Sequence, residues 1–337
     1  MSQELYDIAF AMGQTGRGIL AADESTGTMG KRLDSIGLPN EEHYRRDYRE
    51  MMFRTKEAME NYISGVILYD ETIRQKAEDG TPLVKLIQDA GSIPGIKVDA
   101  GAKELAGWPG EMVTEGLDGL RGRLNEYYDL GARFAKWRAV INITDNAPSV
   151  ACVKANAHAL ARYAALCQEA NIVPIVEPEV IMDGSHDIDR CAEVTEFALK
   201  TLYAEMFEQD VFLEGSVLKP NMVISGTECD VQASREEVAE ATVAILKRAV
   251  PSAVPSIVFL SGGQSDVDAT AHLHLMNAGY DLPWNLSYSY GRALQAAPLK
   301  AWSGKKENYD AAQAAFTHRA KMNSLATKGE WSEDLEG

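Results

Sequence analysis

Cysteine is scarce in this 337-residue chain, and its few thiols fit neither a metal site nor a disulfide framework. They are far apart, with no CxxC pair and no zinc-finger spacing, at Cys152, Cys167, Cys191 and Cys229. A chain of this length can bury a core large enough to fold without covalent cross-links. We therefore expect four free thiols and a reducing, cytoplasmic compartment.

Long apolar runs are also absent. No run approaches the roughly 20 residues that a membrane helix needs. The first residues, MSQELYD, are acidic and lack the basic segment and apolar stretch of a signal peptide. We therefore expect a soluble protein with no membrane partner.

Positive charge is in short supply, with 33 Lys and Arg against 50 Asp and Glu and a formal net charge of −17. A field of this sign repels nucleic acid and anionic membranes, so neither is an expected partner. It also repels phosphorylated metabolites. An enzyme for such substrates would have to concentrate its few cations at one place.

Eight short apolar runs recur along the chain, separated by longer segments of helical period. The runs are residues 18–23, 63–69, 95–100, 134–140, 173–179, 216–223, 256–263 and 284–291, and the clearest helical segments are 41–61, 151–170, 187–208 and 234–250. The alternation suits a TIM barrel or a doubly wound sheet. The first strand–helix turn reads DESTG rather than GxGxxG, which disfavours a dinucleotide-binding doubly wound sheet.

We predict an α/β fold with a single (β/α)8 TIM barrel over residues 1–325. Extra N-terminal helices, within residues 3–15 and 26–61, would cap the bottom of the barrel or flank it. Residues 326–337 are polar and are predicted to form a flexible C-terminal tail.

Charged side chains interrupt the predicted strands, although barrel strands are covered on both faces and should be apolar. They cluster near the C-terminal strand ends, where barrel active sites lie: Asp23, Lys97, Lys136, Arg138, Glu177, Glu179 and Lys219, with Ser261 closing the seventh run and Arg292 following the eighth. Strand alternation puts Lys136 and Arg138 on one face. One such group could belong to a structural ion-pair network, but so many strand ends with reactive groups predict an active site.

A lysine is the best candidate nucleophile, because the alternatives lack their motifs. There is no GxSxG elbow and no cysteine at a strand end beside a histidine. His272 and His274 fall in a helical segment, where their rings would point about 200° apart. They are better explained as a packed or solvated pair than as metal ligands, so we predict no metal.

The amine of Lys219 could then act in place of a metal as the electron sink. A neutral amine condenses with a ketone, and the resulting imine stabilises an adjacent carbanion. Desolvation and neighbouring cations favour the neutral amine. Lys219, facing the same interior as Lys136 and Arg138, is predicted to have both.

Two groups of residues suit phosphate binding. The first follows strands seven and eight, where TIM barrels commonly bind phosphate, and comprises Ser261, Gly262, Gly263, Ser289, Gly291 and Arg292. The second, across the mouth, comprises Ser25, Thr28, Lys31, Arg32 and Lys97. Lys31 and Arg32 suit a solvated helix face equally well.

These motifs resemble class I (Schiff-base) fructose-1,6-bisphosphate aldolases. The resemblance runs in order from about residue 13 to 326 through GILAADESTG (18–27), GIKVD (95–99), AKWR (135–138), PIVEPE (174–179), LKPNMV (218–223), LSGGQS (260–265), SYGRALQ (289–295) and KAWSGKKEN (300–308). It implies a metal- and cofactor-independent cytoplasmic lyase of glycolysis and gluconeogenesis, usually a homotetramer. Its reaction would be the reversible cleavage of fructose 1,6-bisphosphate to dihydroxyacetone phosphate and glyceraldehyde 3-phosphate.

The resemblance also implies residue roles. Lys219 would form the Schiff base, Glu177 would act as the acid and base of carbinolamine dehydration with support from Glu179, and Asp23 would take the C4 hydroxyl proton as the C3–C4 bond breaks. Lys136 and Arg138 would orient the substrate. One phosphate would meet Ser261, Gly262, Ser289 and Arg292, and the other end Ser25, Thr28, Arg32 and Lys97. Because a proton shuttle at neutral pH needs a raised pKa, we expect burial to raise the pKa of Glu177.

Many eukaryotic members end in a tail that closes with a tyrosine, which assists proton exchange. This chain has no tyrosine after Tyr309, and the indole N–H of Trp331 is no acid near neutral pH.

Two alternatives to this function remain open at this point. One is another Schiff-base barrel, such as a transaldolase or a deoxyribose-phosphate aldolase, and the other is a scaffolding protein.

Overall fold

Eight parallel strands close into a barrel in this computed structural model, which describes residues 2–337. The described residues contain these eight strands and two others, which lie outside the barrel. In chain order they are β1 (Gly18–Ala21), β2 (Ile63–Leu68), β3 (Ile93–Lys97), β4 (Ala102–Glu104), β5 (Met112–Thr114), β6 (Phe134–Ile141), β7 (Val173–Val180), β8 (Val217–Leu218), β9 (Ser256–Phe259) and β10 (Asn285–Tyr290). Around the barrel β1, β2, β3, β6, β7, β8, β9 and β10 follow one another, and β10 pairs again with β1. Each predicted apolar run overlaps one barrel strand, so the predicted (β/α)8 TIM barrel is confirmed.

An antiparallel hairpin, formed by β4 and β5, lies outside the barrel between β3 and β6. The sequence analysis did not predict it. Each of its strands is three residues long, which is too short to show a period of two.

The helices surround the barrel and connect its strands. They are α1 (Ser2–Met12), α2 (Thr26–Asp34), α3 (Glu42–Phe53), α4 (Lys56–Asn61), α5 (Asp70–Arg74), α6 (Leu83–Asp89), α7 (Leu120–Asp129), α8 (Val150–Glu169), α9 (Ile188–Glu208), α10 (Arg235–Ala249), α11 (Asp266–Gly279), α12 (Arg292–Trp302) and α13 (Tyr309–Thr327). Several begin where a side chain accepts a hydrogen bond from a free backbone N–H. Ser234 caps α10 in this way, and its own backbone N–H donates a hydrogen bond to Oε2 of Glu237 at 2.7 Å. The predicted segment 41–61 is two helices, α3 and α4, rather than one.

Helix α1 closes the end of the barrel at which the strands begin. Its Leu5, Ala9 and Met12 pack against a buried apolar cluster of Ile19, Ile67, Phe134, Val173, Ile175, Val217 and Val258 from the barrel strands. The Phe134 ring occupies the space that a side chain on Gly95 would need, so a glycine is required there. The charged side chains of the barrel strands lie at the other end. Helix α2 follows β1 and lies at that other end.

The C-terminal residues pack against α10 and α13. The boundary predicted after residue 325 falls within the last turn of α13, which continues to Thr327. Trp331 is only 7% exposed, and its Nε1 donates to Glu336 at 2.9 Å. Glu333 pairs with Arg235 at 3.1 Å, and Glu336 pairs with Arg319. The predicted flexibility of residues 326–337 stays a prediction.

His272 is the packed member of the pair on α11. It is 6% exposed, its Nδ1 lies 2.7 Å from Oε1 of Gln264, and burial lowers its pKa from 6.5 to about 4. The unfolded chain therefore binds a proton between pH 6.5 and pH 4 that the native protein does not bind. We expect His272 to remove up to about 3 kcal/mol of unfolding free energy as the pH falls through this window.

A His272→Asn variant can keep a donor to Gln264 while losing the titration. Urea unfolding at pH 7, 6 and 5 should show a shallower loss of stability in the variant than in the native protein. Equal slopes in the two proteins would contradict this assignment.

Candidate active site

Lys136 lies between two carboxylates at the centre of the barrel mouth. Its Nζ is 2.8 Å from Oδ2 of Asp23, at the end of β1, and 3.1 Å from Oε2 of Glu177 on β7. The other oxygen of Glu177, Oε1, is 3.1 Å from Nζ of Lys219, which follows β8. All four residues are buried. Four side chains from four strand ends thus form one continuous row of ion pairs, Asp23–Lys136–Glu177–Lys219.

The charges in this row determine its protonation. Burial alone would raise the pKa of Asp23, but Lys136, Lys97 and Lys219 outweigh it and hold the pKa well below its usual range. Burial would lower the pKa of Lys136, yet Asp23 and Glu177 raise it well above its usual value. At neutral pH the centre therefore holds ionised carboxylates around a charged lysine.

The sign of the pKa shift that we expected for Glu177 is wrong. Burial does act to raise the pKa of this carboxyl, but the cations of Lys136, Lys219 and Arg138 together lower it. The expectation considered burial without the neighbouring strands. Only the barrel brings the charges of these three side chains close to one carboxylate.

Arg138 and Glu179 form a second ion pair on the same two strands, β6 and β7. The Nε of Arg138 contacts Oε2 of Glu179, and this carboxylate outweighs burial and raises the pKa of the guanidinium. Asp99, which follows β3, accepts a hydrogen bond from the Arg138 backbone N–H at 3.3 Å and from the Gly101 N–H at 3.2 Å. Glu179 thus holds Arg138 at the mouth.

Lys97 closes the side of the site formed by β1 and β3. Its Nζ donates to the carbonyl oxygen of Asp23 at 2.7 Å and lies 4.9 Å from the centre of the Tyr69 ring. Burial, and next Lys136, lower the pKa of this amine. Ser25 and Thr28, at the start of α2, line the cavity beside it.

The two glycine-containing turns after β9 and β10 form the opposite side. The Ser289 hydroxyl is buried and has no hydrogen-bond partner within the described residues. Arg292 begins α12 and donates to the carbonyl oxygens of Ser261, at 3.3 Å, and Gln264. It also pairs with Oδ1 of Asp266 at 3.3 Å. This side therefore offers a free hydroxyl and a guanidinium to an anion.

Arg32 lies closer to this group than we expected. Its Nη2 would be 3.5 Å from a Cβ added to Gly291, because α2 follows β1 and β1 pairs with β10. The sequence analysis predicted that Arg32 would lie with Ser25 and Lys97, at the other end of the substrate. The structure places it between the two groups.

A cavity of about 610 Å³ joins all these groups. It is lined by every predicted site residue except Gly263 and Lys31, namely Asp23, Ser25, Thr28, Arg32, Lys97, Lys136, Arg138, Glu177, Glu179, Lys219, Ser261, Gly262, Ser289, Gly291 and Arg292. Lys31 is exposed on α2. Gly263 has a φ of +74° and packs on Met182, so it shapes the turn. Six cationic and five acidic side chains line the cavity of a chain whose net charge is −17. The scarce cations are concentrated here.

Three lining residues with polar or charged side chains were not predicted, namely Glu24, Tyr69 and Asp99. Tyr69 ends the second apolar run and Asp99 lies within the third, so both were open to the strand-end argument. Glu24 follows Asp23 and gave no separate signal, because its partners come from distant helices.

Comparison with known proteins identifies the family. Residues 4–337 match the family model described as fructose-bisphosphate aldolase class-I. A probable class 1 fructose-bisphosphate aldolase of Xanthomonas campestris is 59% identical over 98% of both chains. The cytosolic fructose-bisphosphate aldolase 6 of Arabidopsis thaliana is 54% identical over 99% of this chain and 93% of that protein.

A solved structure agrees with the sequence relatives. It is the fructose-bisphosphate aldolase of Plasmodium falciparum in complex with TRAP and a small-molecule inhibitor. It has a TM-score of 0.96 and 46% identity, covering 98% of this chain and 96% of that one. The chain belongs to the class I fructose-bisphosphate aldolase family.

Proposed function

We propose that this class I fructose-bisphosphate aldolase cleaves its substrate through a Schiff base on Lys219. The products would be dihydroxyacetone phosphate and glyceraldehyde 3-phosphate. One observation carries the proposal: Lys219 and Lys136 contact the two oxygens of the same carboxylate, that of Glu177, at 3.1 Å each. This arrangement pairs a nucleophilic amine with an acid and base in a buried site.

Glu177 and Lys219 can prepare the first step together. A proton that passes from Lys219 to Glu177 leaves a neutral amine and a carboxylic acid in contact. The amine attacks the C2 ketone and forms a carbinolamine. Glu177 then protonates the C2 hydroxyl, which leaves as water, and the iminium ion remains on Lys219.

Asp23 would drive the second step. The cations around it keep its carboxylate ionised, so it can accept the proton of the C4 hydroxyl. The C3–C4 bond then breaks, its electron pair moves to the iminium nitrogen, and the aldehyde departs. Protonation of the enamine at C3 and hydrolysis of the imine release the ketone and free Lys219.

The two sides of the cavity would hold the two phosphates. Backbone N–H groups of the glycine turns and the Ser289 hydroxyl suit one phosphate, with Arg292 as a bidentate donor. Ser25, Thr28 and Lys97 suit the other. Arg32, between the groups, would contribute to the side formed by Gly291 and Arg292.

We further infer a cytoplasmic homotetramer of glycolysis and gluconeogenesis without a nucleic-acid or membrane partner. Kinship with the cytosolic Arabidopsis thaliana proteins supports the compartment. Among residues 2–337, no helix is both long and apolar enough to span a bilayer. Light scattering should give about four times the 36.9 kDa of one chain, and a monomer mass would overturn the tetramer.

Trapping the imine tests the proposed function directly. The protein is incubated with dihydroxyacetone phosphate and EDTA, reduced with borohydride and mapped by mass spectrometry. We expect a covalent adduct on Lys219 and none without the ketone. An adduct on Lys136 would reassign the nucleophile, and activity abolished by EDTA without any adduct would refute the imine mechanism.

A further inference from the structure

Glu24 is held in place from three sides in the wall of the substrate cavity. It lies in the turn between β1 and α2, and its side chain is 5% exposed. Its Oε1 pairs with Nη1 of Arg32 at 2.7 Å and accepts a hydrogen bond from Nε2 of Gln295 at 2.8 Å. Gln295 also donates to the carbonyl oxygen of Ala21 at 2.6 Å. The carboxylate is thus tied to both β1 and α12.

A buried arginine backs this carboxylate. Arg49, on α3, is 1% exposed, and its Nη2 donates to the carbonyl oxygen of Glu24 at 2.8 Å. It also lies 3.8 Å from Oε2 of Glu24 and, through Nη1, 3.7 Å from Oε1 of Glu71. A charge this deeply buried is kept only with a counter-charge. Glu24 is therefore held in position by Arg49 as well as by Gln295.

Arg32 is the more exposed end of the network. Its side chain is 24% exposed and lines the cavity next to Gly291. Glu24 is the only carboxylate that pairs with Arg32 among the described residues. A free arginine loses rotamer entropy when an anion orders it. An arginine already ordered by Glu24 does not pay this cost when the anion arrives.

We propose that Glu24 is a positioning residue that orders Arg32 for binding a substrate phosphate. The inference rests on the proposed function, in which this cavity takes a phosphorylated sugar. Glu24 acts through Arg32 and takes no part in breaking the carbon–carbon bond. The reacting groups pair among themselves, Lys219 with Glu177 and Lys136 with Asp23.

The sign of one substitution separates positioning from a simple charge effect. Glu24→Gln removes a negative charge next to an anion site. If Glu24 served only to offset charge, the variant would bind phosphate more tightly. If Glu24 orders Arg32, binding becomes weaker, because the neutral amide gives up a charge-assisted pair.

The experiment measures the Kd of inorganic phosphate by calorimetry and the steady-state constants for fructose 1,6-bisphosphate. We expect Glu24→Gln to raise Kd and KM about tenfold, with kcat changed by less than about threefold. In an Arg32→Gln background the same substitution should change Kd by less than about twofold. Glu71→Gln is the matched control, since it also removes a carboxylate near Arg49 but does not touch Arg32. We expect it to leave Kd unchanged.

An unchanged or lower Kd in Glu24→Gln would overturn the proposal. So would an equal increase in the Arg32→Gln background, because that result would mean a general structural effect. If Glu24→Gln does not fold, Glu24→Asp keeps the charge beside Arg49 but withdraws it from Arg32, and it should weaken phosphate binding in the same direction. Phosphate binding needs no Schiff base, so failure of the borohydride trap would refute the proposed function without deciding the role of Glu24.

Discussion

Replacing Lys219 with methionine should lower kcat by more than about 10⁴-fold while the protein stays folded. Methionine has a similar length and no amine, so no imine can form at this position. Glu177 keeps a cationic partner, because its other oxygen remains 3.1 Å from Nζ of Lys136. The buried carboxylate is therefore not left uncompensated, and stability should change far less than activity.

The measurement combines steady-state kinetics with thermal unfolding and the borohydride trap. Lys300→Met, at an exposed lysine on α12, is the control for the loss of one amine and should behave as the native protein does. Residual activity within about tenfold of native, or a new adduct on another lysine, would remove Lys219 from the proposed role.

Replacing Lys136 with methionine should impair stability and activity together. Asp23 and Glu177 would both lose the cation that they share, which leaves two buried carboxylates with less compensation. Breaking a buried pair in this way costs about 3–5 kcal/mol. We also expect kcat to fall by about 10³-fold, because Asp23 and Glu177 both lose the partner that orients them.

The pH dependence of this variant has a definite sign. In the native protein the lowered pKa values of Asp23 and Glu177 contribute stability above the unfolded pKa values. That stability is lost as the pH falls through the folded values. Without Lys136 both folded pKa values rise. The stability difference between native and variant proteins should thus be largest near pH 7 and should shrink in acid.

Kinetics at several pH values give the second readout. The acid limb of the kcat profile should move to higher pH in Lys136→Met, because ionised Asp23 is the proposed base. Lys136→Arg keeps the charge but changes its geometry, so it should recover stability more fully than kcat. An acid limb that stays in place in Lys136→Met would argue against Lys136 as the group that keeps these carboxylates ionised.

The barrel could be predicted from the sequence because it depends on local patterns. Each of the eight runs is apolar enough to be covered on both faces, and each overlaps a strand. The charged residues in these runs, such as Lys136 and Glu177, violate that pattern and so mark the site. The hairpin of β4 and β5 gave no such signal, because two three-residue strands show no period.

Contacts between distant segments of the chain could not be predicted from the sequence. Arg32 is next to Gly291 because the closing pair of the barrel joins β1 to β10. The separation of these two residues along the chain does not predict that they are close. The role of Glu24 can be recognised only from the structure, in which Arg49 from α3 and Gln295 from α12 both contact it.

The sequence by itself determined the barrel and most of the charged side chains that meet at its mouth. These follow from apolar periodicity and from charges placed where burial forbids them. The tertiary structure alone decided how those charges act on one another. The pKa of Glu177 falls rather than rises because three cations surround it, and Arg32 is ordered because Glu24 is backed by a buried arginine. The pKa of Glu177 and the position of Arg32 both depend on through-space interactions, which weaken with distance. The order of residues along the chain does not give the distances between strands.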